Sequence, residues 1–291
     1  MRRRRRRKKS SFLKKIFFII ILIFAFSIAK SKYYEYSYAF DGDFIDRIEA
    51  LFGLVDGFSA SDYKSDDMRK LKRNIKREAD SGNDRAKWLY DNFDSLTDTE
   101  IYLAGNDSDT IEFVYNNANN ISDFEYYPGQ SKDLARRTPY FLQWDNRWAY
   151  NGLGNSNIGI AGCGPTSMAM ALARLNNDIS INPQLIANDA QNYMTSSGIS
   201  WSFFADEARK YGYNAQDISN DYDSIVEALN YGPLIVSVDR GYFTLFGHIL
   251  LIDSYQDGKF LINDPNSYQK SLKPWSYEQI KDQIAHIWLI S

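Results

Sequence analysis

Ala161-Gly162-Cys163-Gly164-Pro165-Thr166-Ser167-Met168-Ala169 is the stretch on which the fold turns. Pro165 is pre-shaped for the first position of a helix, and Met168, Ala169, Leu172 and Leu175 continue at helical spacing. Cys163 therefore sits at a helix N-terminus, where unpaired N–H groups and a positive partial charge favour thiolate over thiol. A glycine on either side lets another backbone approach closely. Cys163 is the chain's single cysteine, so no intramolecular disulfide framework exists and the thiol invites a chemical explanation.

Downstream of this helix the pattern changes period. Asn182-Pro183 opens a helix reaching about Tyr193, residues 202–211 form another closed by Gly212, and residues 223–230 a fourth. Strands are then expected over 234–238, 248–255 and 259–263, with Asp257-Gly258 as a tight turn between the last two. Ser276 caps a short helix, and residues 286–290 close the chain as a strand. Helices first and an antiparallel sheet afterwards make an α+β domain. The chain has two histidines. His248 opens an apolar strand after a loop bounded by Gly241 and Gly247, whereas His286 is flanked by Ala285 and Ile287 and reads as structural. A cysteine nucleophile needs a base, and His248 is the candidate.

Tyr140-Phe-Leu-Gln143-Trp-Asp-Asn-Arg-Trp148, the stretch around Cys163-Gly164-Pro165, Gly247-His248 and Asn263-Asp264-Pro265 follow one another in order. Together they resemble the C39-like peptidase family of the papain-like group, over about residues 138–291. The resemblance implies a papain-like α+β fold and cleavage of an amide bond in a peptide or protein substrate. It implies Cys163 as nucleophile, His248 as base, Gln143 as a donor to the oxyanion, and Asp264 as the group orienting His248, with no cofactor and no metal. A strict two-residue turn at Asp257-Gly258 puts Ser267 opposite His248 and Asp264 opposite Leu251, so a bulge or a splayed strand end is required. Asn263 is the alternative orienter, and a simple turn at Asn-Asp-Pro is the bland reading. A cell-wall amidase or acyl transferase on the same scaffold, and a non-catalytic peptide- or wall-binding module, are the rival functions. No Walker-type phosphate loop is present.

Charge separates the N-terminus from the rest. Arg2 to Arg7, Lys8, Lys9, Lys14 and Lys15 precede the first acid, Glu35; without those ten, 24 basic residues face 37 acids, a net charge of about −13. Such a body repels a nucleic-acid backbone. The basic run leads into 14 apolar residues from Ile16 to Ala29, the pattern of a secretory signal peptide or, uncleaved, of a membrane anchor. The expected location is outside a bacterial cell of Gram-positive type, or the outer face of its membrane, where cell-wall association is open to it. Residues 30–130 form a helical region that reads as a propeptide, a cap or a spacer. Its apolar spacing appears at Phe44, Ile45, Ile48, Leu51 and Phe52 and again at Trp88, Leu89, Phe93 and Leu96. Asp107 or Ser108 is expected to cap a third helix with Ile111, Phe113 and Val114, and residues 116–137 read as a linker. The domain from 131 to 291 then carries the chemistry. Separated histidines and one cysteine make no zinc site, and Asp41-Gly-Asp43 lacks the remainder of a calcium loop. Trp144, Trp148 and Trp201 fit a core better than a groove.

Overall fold

The computed structural model describes residues 59–123 and 129–291. The basic run, the apolar segment, the spacing from Phe44 to Phe52 and the Asp41-Gly-Asp43 fragment lie outside the described residues. Among those described, no helix is long and apolar enough to cross a membrane.

Four helices come first: α1 (Met68–Asp80), α2 (Asp84–Asp91), α3 (Asp98–Asn106) and α4 (Ile111–Ala118). Two of them, α1 and α3, are not apparent from apolar spacing. α1 is mostly charged and buries only Leu71, Asn74 and Ile75, but Asp67 caps it through the N–H groups of Arg69 and Lys70. α3 starts from a capping box, with Thr97 and Glu100 exchanging side-chain and backbone hydrogen bonds. Asp107 accepts from the Asp109 N–H at the turn that leads into α4, as expected of a cap.

The nucleophile helix, α5 (Cys163–Asn176), begins two residues earlier than Pro165 suggests. Its first backbone bond runs from Thr166 N–H to the Gly162 carbonyl, 2.9 Å. Proline is tolerated at the third position because the first four N–H groups of a helix have no partner inside it. Helices α6 (Pro183–Ala190, capped by Asn182), α7 (Ser202–Lys210) and α8 (Tyr222–Ala228) follow.

The strands are β1 (Ala215–Asp217), β2 (Leu234–Asp239), β3 (Gly247–Gln256), β4 (Lys259–Asn263), β5 (Pro274–Trp275) and β6 (Ile284–Ile290). They form one antiparallel sheet in the order β1-β6-β2-β3-β4-β5. Alternation along β2 and β3 serves two cores. Ile235, Ile249 and Leu251 join the core under α5, whereas Leu234, Val236, Leu250 and Ile252 face a second core with α8 and Trp275. This is the expected α+β arrangement, with α5 lying on an antiparallel sheet.

Leu71, Leu89, Ile101 and Phe113 of the helical region share one continuous core with Tyr140, Trp148, Ile158, Met168 and Phe203. Trp144 and Trp148 are buried; Trp201 is half-exposed and packs on His286 and Trp288. The segment expected as a linker is also held down. α4 extends into it to Ala118, and Ser131 N–H donates to Asp145 at 2.7 Å. Among its described residues, Asn116, Asn117, Gln130 and Ser131 are hydrogen-bonded inside the molecule, which composition alone does not reveal.

At the junction between the two parts, the Phe113 ring lies against Gly159, so closely that a Cβ there would overlap the ring. Phe113 is fully buried and has nowhere to go. Gly159→Ala is therefore expected to cost about 1–3 kcal/mol, read as a fall of several degrees in a thermal melt of the chain. An unchanged melting temperature would contradict this packing.

Candidate active site

Cys163 opens α5, where the free N–H groups of the first turn gather. The thiol is partly exposed. His248 stands close enough to act on its ionisation, as do the backbone N–H groups of Ile249 and Gly164, and each favours the thiolate. Ser167 Oγ, one turn along the helix, donates to the Ile249 carbonyl at 3.2 Å, so α5 is stitched to the start of β3 on both sides of the thiol.

His248 is almost wholly buried. Its Nε2 lies 2.7 Å from Asp264 Oδ1, which leaves Nδ1 for Cys163. Burial alone drives both partners toward their neutral forms. For the thiol that push is upward, but the hydrogen bond and charge of His248 and the two N–H groups outweigh it, and Cys163 ends below its ordinary value. For the imidazole, burial pushes down, but the charge and hydrogen bond of Asp264, then those of Cys163, raise it to about 10. Both shifts favour thiolate and imidazolium over thiol and neutral imidazole.

Asp264 reaches His248 because β3 carries a bulge. From the Asp257-Gly258 turn the pairing runs Gln256 to Lys259, Tyr255 to Phe260 and Ser254 to Leu261, then shifts to Ile252 with Ile262 and Leu251 with Asn263. Asp253 is the extra residue. A one-residue slip exchanges the two faces of a strand. Without it Asp264 would stand across from Leu251, facing away from His248. Continuing the shifted register by one step sets it across from Leu250, diagonal to His248 on the same face, a spacing that long side chains bridge. The bulge is pinned: Asp253 accepts from Thr138 N–H at 2.8 Å, and its carbonyl accepts from Arg174 at the far end of α5, 2.9 Å. A carboxylate inside the apolar run Ile249-Leu-Leu-Ile252 was the available signal, since a buried charge there requires its own partners.

Asn263 is not the residue beside His248. Its Oδ1 accepts from Arg136 at 2.6 Å, and its amide points toward the Thr138 carbonyl. Asp264 is fully buried and held by its backbone: N–H to Ser271 Oγ at 2.8 Å, carbonyl from Tyr140 Oη at 2.9 Å. The Asn266 N–H donates to the same Oδ1 that meets His248, 2.8 Å.

Gln143 lies in the same cavity as Cys163 and His248. Its backbone N–H donates to the Pro265 carbonyl at 2.7 Å, linking it to the loop of Asp264. Its Nε2 donates to the Gly159 carbonyl at 2.8 Å and lies 3.4 Å from that of Ile160. Two carbonyls take up the amide nitrogen, while its Oε1 is buried without a hydrogen-bond partner. His286 stands apart, paired with Asp217 of β1 at 2.9 Å.

The cavity has a volume of about 180 Å³. It is lined by Gln143, Cys163, His248 and Asn266, by the loop 243–247, and by Thr99, Tyr102, Leu103 and Asn106 of α3. The part played by α3 is invisible in the sequence, because its cavity residues follow no motif and are brought there by tertiary packing.

Residues 136–291 match the model of the Peptidase_C39 like family, and the chain belongs to that family of cysteine peptidases. Three solved structures are similar to it. The peptidase domain of Streptococcus ComA, a bi-functional ABC transporter involved in a quorum-sensing pathway, shares 19% identity over 49% of this chain and 96% of its own, with a TM-score of 0.34. A double-glycine-motif protease from an AMS/PCAT transporter, solved with its leader peptide, shares 19% over 56% and 93%, TM-score 0.36. A C39-like peptidase from Bacillus anthracis shares 14% over 57% and 98%, TM-score 0.34. No curated protein sequence matches the chain.

Proposed function

We propose that the chain is an exported peptidase that cleaves a polypeptide through a Cys163 thioester. The observation that carries this reading is that Cys163 and His248 line one cavity, with Asp264 buried behind His248 and hydrogen-bonded to its Nε2 at 2.7 Å. The Cys163 thiolate attacks the substrate carbonyl. The oxyanion is held by the Gln143 side-chain amide, turned from its carbonyl partners, and the backbone N–H of Cys163. The C–N bond breaks as His248 gives its proton to the departing amine. Water then adds to the thioester and yields a proton to His248; the C–S bond breaks, releasing the new carboxylate and restoring the thiolate. Asp264 holds His248 in place and keeps its proton available throughout. Export rests on the basic run and the 14 apolar residues that follow it, and the acidic body suits basic stretches of polypeptide.

The test is reaction of the full chain with iodoacetamide across pH, followed by intact mass. The sign follows from the two shifts. At low pH the thiol is protonated and unreactive; between the lowered Cys163 value and about 10 the ion pair persists; above about 10 His248 has no proton for the leaving amine. Labelling of Cys163 well below the ordinary thiol value of roughly 8.5 is therefore expected, with peptide cleavage declining only above about 10. Labelling confined to alkaline pH, or unaltered in a His248→Ala variant, would refute the ion pair.

A further inference from the structure

The helical region is built into the catalytic part rather than laid over it. Phe113 fills the space at Gly159, Asn157 donates to Asn117 at 2.7 Å, and Ser267 donates to Asp107 at 2.5 Å. The segment before α1 is tied to the loop that leads into His248. Lys64 N–H donates to the Gly241 carbonyl at 2.9 Å, Asp66 pairs with Arg240, and the Tyr63 and Tyr242 rings meet edge to face. Lys270, buried, donates to the carbonyls of Ala60 and Asp62.

These ties hold α3 against the cavity that Cys163 lines. Tyr102 and Leu103 line the cavity from α3 and Phe246 from the loop that leads into His248, with the Tyr102 and Phe246 rings 5.9 Å apart. Phe246 is 72% exposed although it lines the same cavity as Cys163, so its ring is presented to solvent and not packed away. The cavity's volume of about 180 Å³ is of the order of one that accepts a benzene ring, roughly 150 Å³. That is room for one side chain. Lys64 lines the same space and disfavours a basic one.

We propose that α3 is a permanent wall of the substrate cleft, and that Tyr102, Leu103 and Phe246 form a subsite for a single bulky apolar side chain next to the scissile bond. The proposal rests on the catalytic reading above. It makes the helical region a determinant of specificity retained in the working enzyme, not a piece to be removed.

A degenerate peptide library digested by the full chain, with cleavage sites read by mass spectrometry, tests it. One position within two residues of the cut should favour Leu, Ile, Met or Phe over Gly and Lys by about 10- to 100-fold in kcat/KM. Tyr102→Ala and Phe246→Ala should flatten that position alone, through KM, while Tyr102→Phe keeps the preference. Phe246 is exposed, so its variant reports even if Tyr102→Ala folds poorly. A cut library with a reactive Cys163 but no apolar preference, or a preference that survives both alanine variants, overturns this proposal alone. An uncut library with an unreactive Cys163 overturns the catalytic reading and this one with it.

Discussion

Cys163→Ala is expected to reduce peptide cleavage by at least ~10⁴-fold, with the fold intact. The reason is specific to the site. His248 and Asp264 remain hydrogen-bonded without the thiol, but neither is aimed at a substrate carbonyl, and no other cysteine exists to substitute. Because the thiol is only partly buried at the margin of the core, the loss of stability should stay near 1 kcal/mol. His248→Ala should be of similar severity, and the double variant no worse than either single one, since the two act as a unit. Product formation followed by mass spectrometry, alongside a thermal melt, separates lost chemistry from lost structure. More than about one hundredth of the activity remaining in Cys163→Ala would exclude Cys163 as the nucleophile.

The second large effect is at Asp264. Its charge and hydrogen bond hold the His248 proton up to about 10 against the burial that would strip it off. Asp264→Asn keeps an acceptor but removes the charge, so the imidazole should lose its proton at least two pH units lower. At neutral pH the pair then becomes thiol and neutral imidazole. Cleavage at pH 7 should fall roughly 10²-fold for Asn and further for Ala, with the alkaline limb moving down in the same experiment. The linkage to stability has a definite sign. A histidine whose folded value is raised contributes stability that is complete below about 6.5 and is lost as pH rises through about 10. Wild type should therefore lose stability across that window, and Asp264→Asn should lose less of it. An unshifted alkaline limb in the Asn variant would mean that another group holds the proton.

How far the molecule is readable from its residues depends on the range of the interaction involved. The β3–β4 hairpin is legible because Asp257 and Gly258 both take positive φ, 51° and 78°, as an Asp-Gly turn favours, between two apolar runs. Helix α5 is legible because its breakers and apolar spacing are local. The partner of His248 is half-legible: Asn263-Asp264 can be singled out, but the choice between them depends on one extra residue in the opposite strand. Helix α3 had a local signal in Thr97 and Glu100, although thin apolar spacing hid it. Its place against the cavity that Cys163 lines had none, because Phe113 on Gly159 and Asp107 on Ser267 are contacts between segments far apart in the chain.

The bulge at Asp253 also constrains how the chain can change length. His248 and Asp264 are 16 residues apart. Across a two-residue turn with an unbroken ladder, residues on a common face are separated by odd numbers, and the one extra residue makes the separation even. The exposed tip at residues 256–259 can change length so long as Tyr255 and Phe260 remain paired behind it. A residue added or removed within the paired strands, between the tip and His248 or Asp264, must be balanced by a second bulge or by loss of the first. The hairpin is thus tolerant at its solvent-facing end and intolerant along its ladder, and what sets the limit is a proton several residues away.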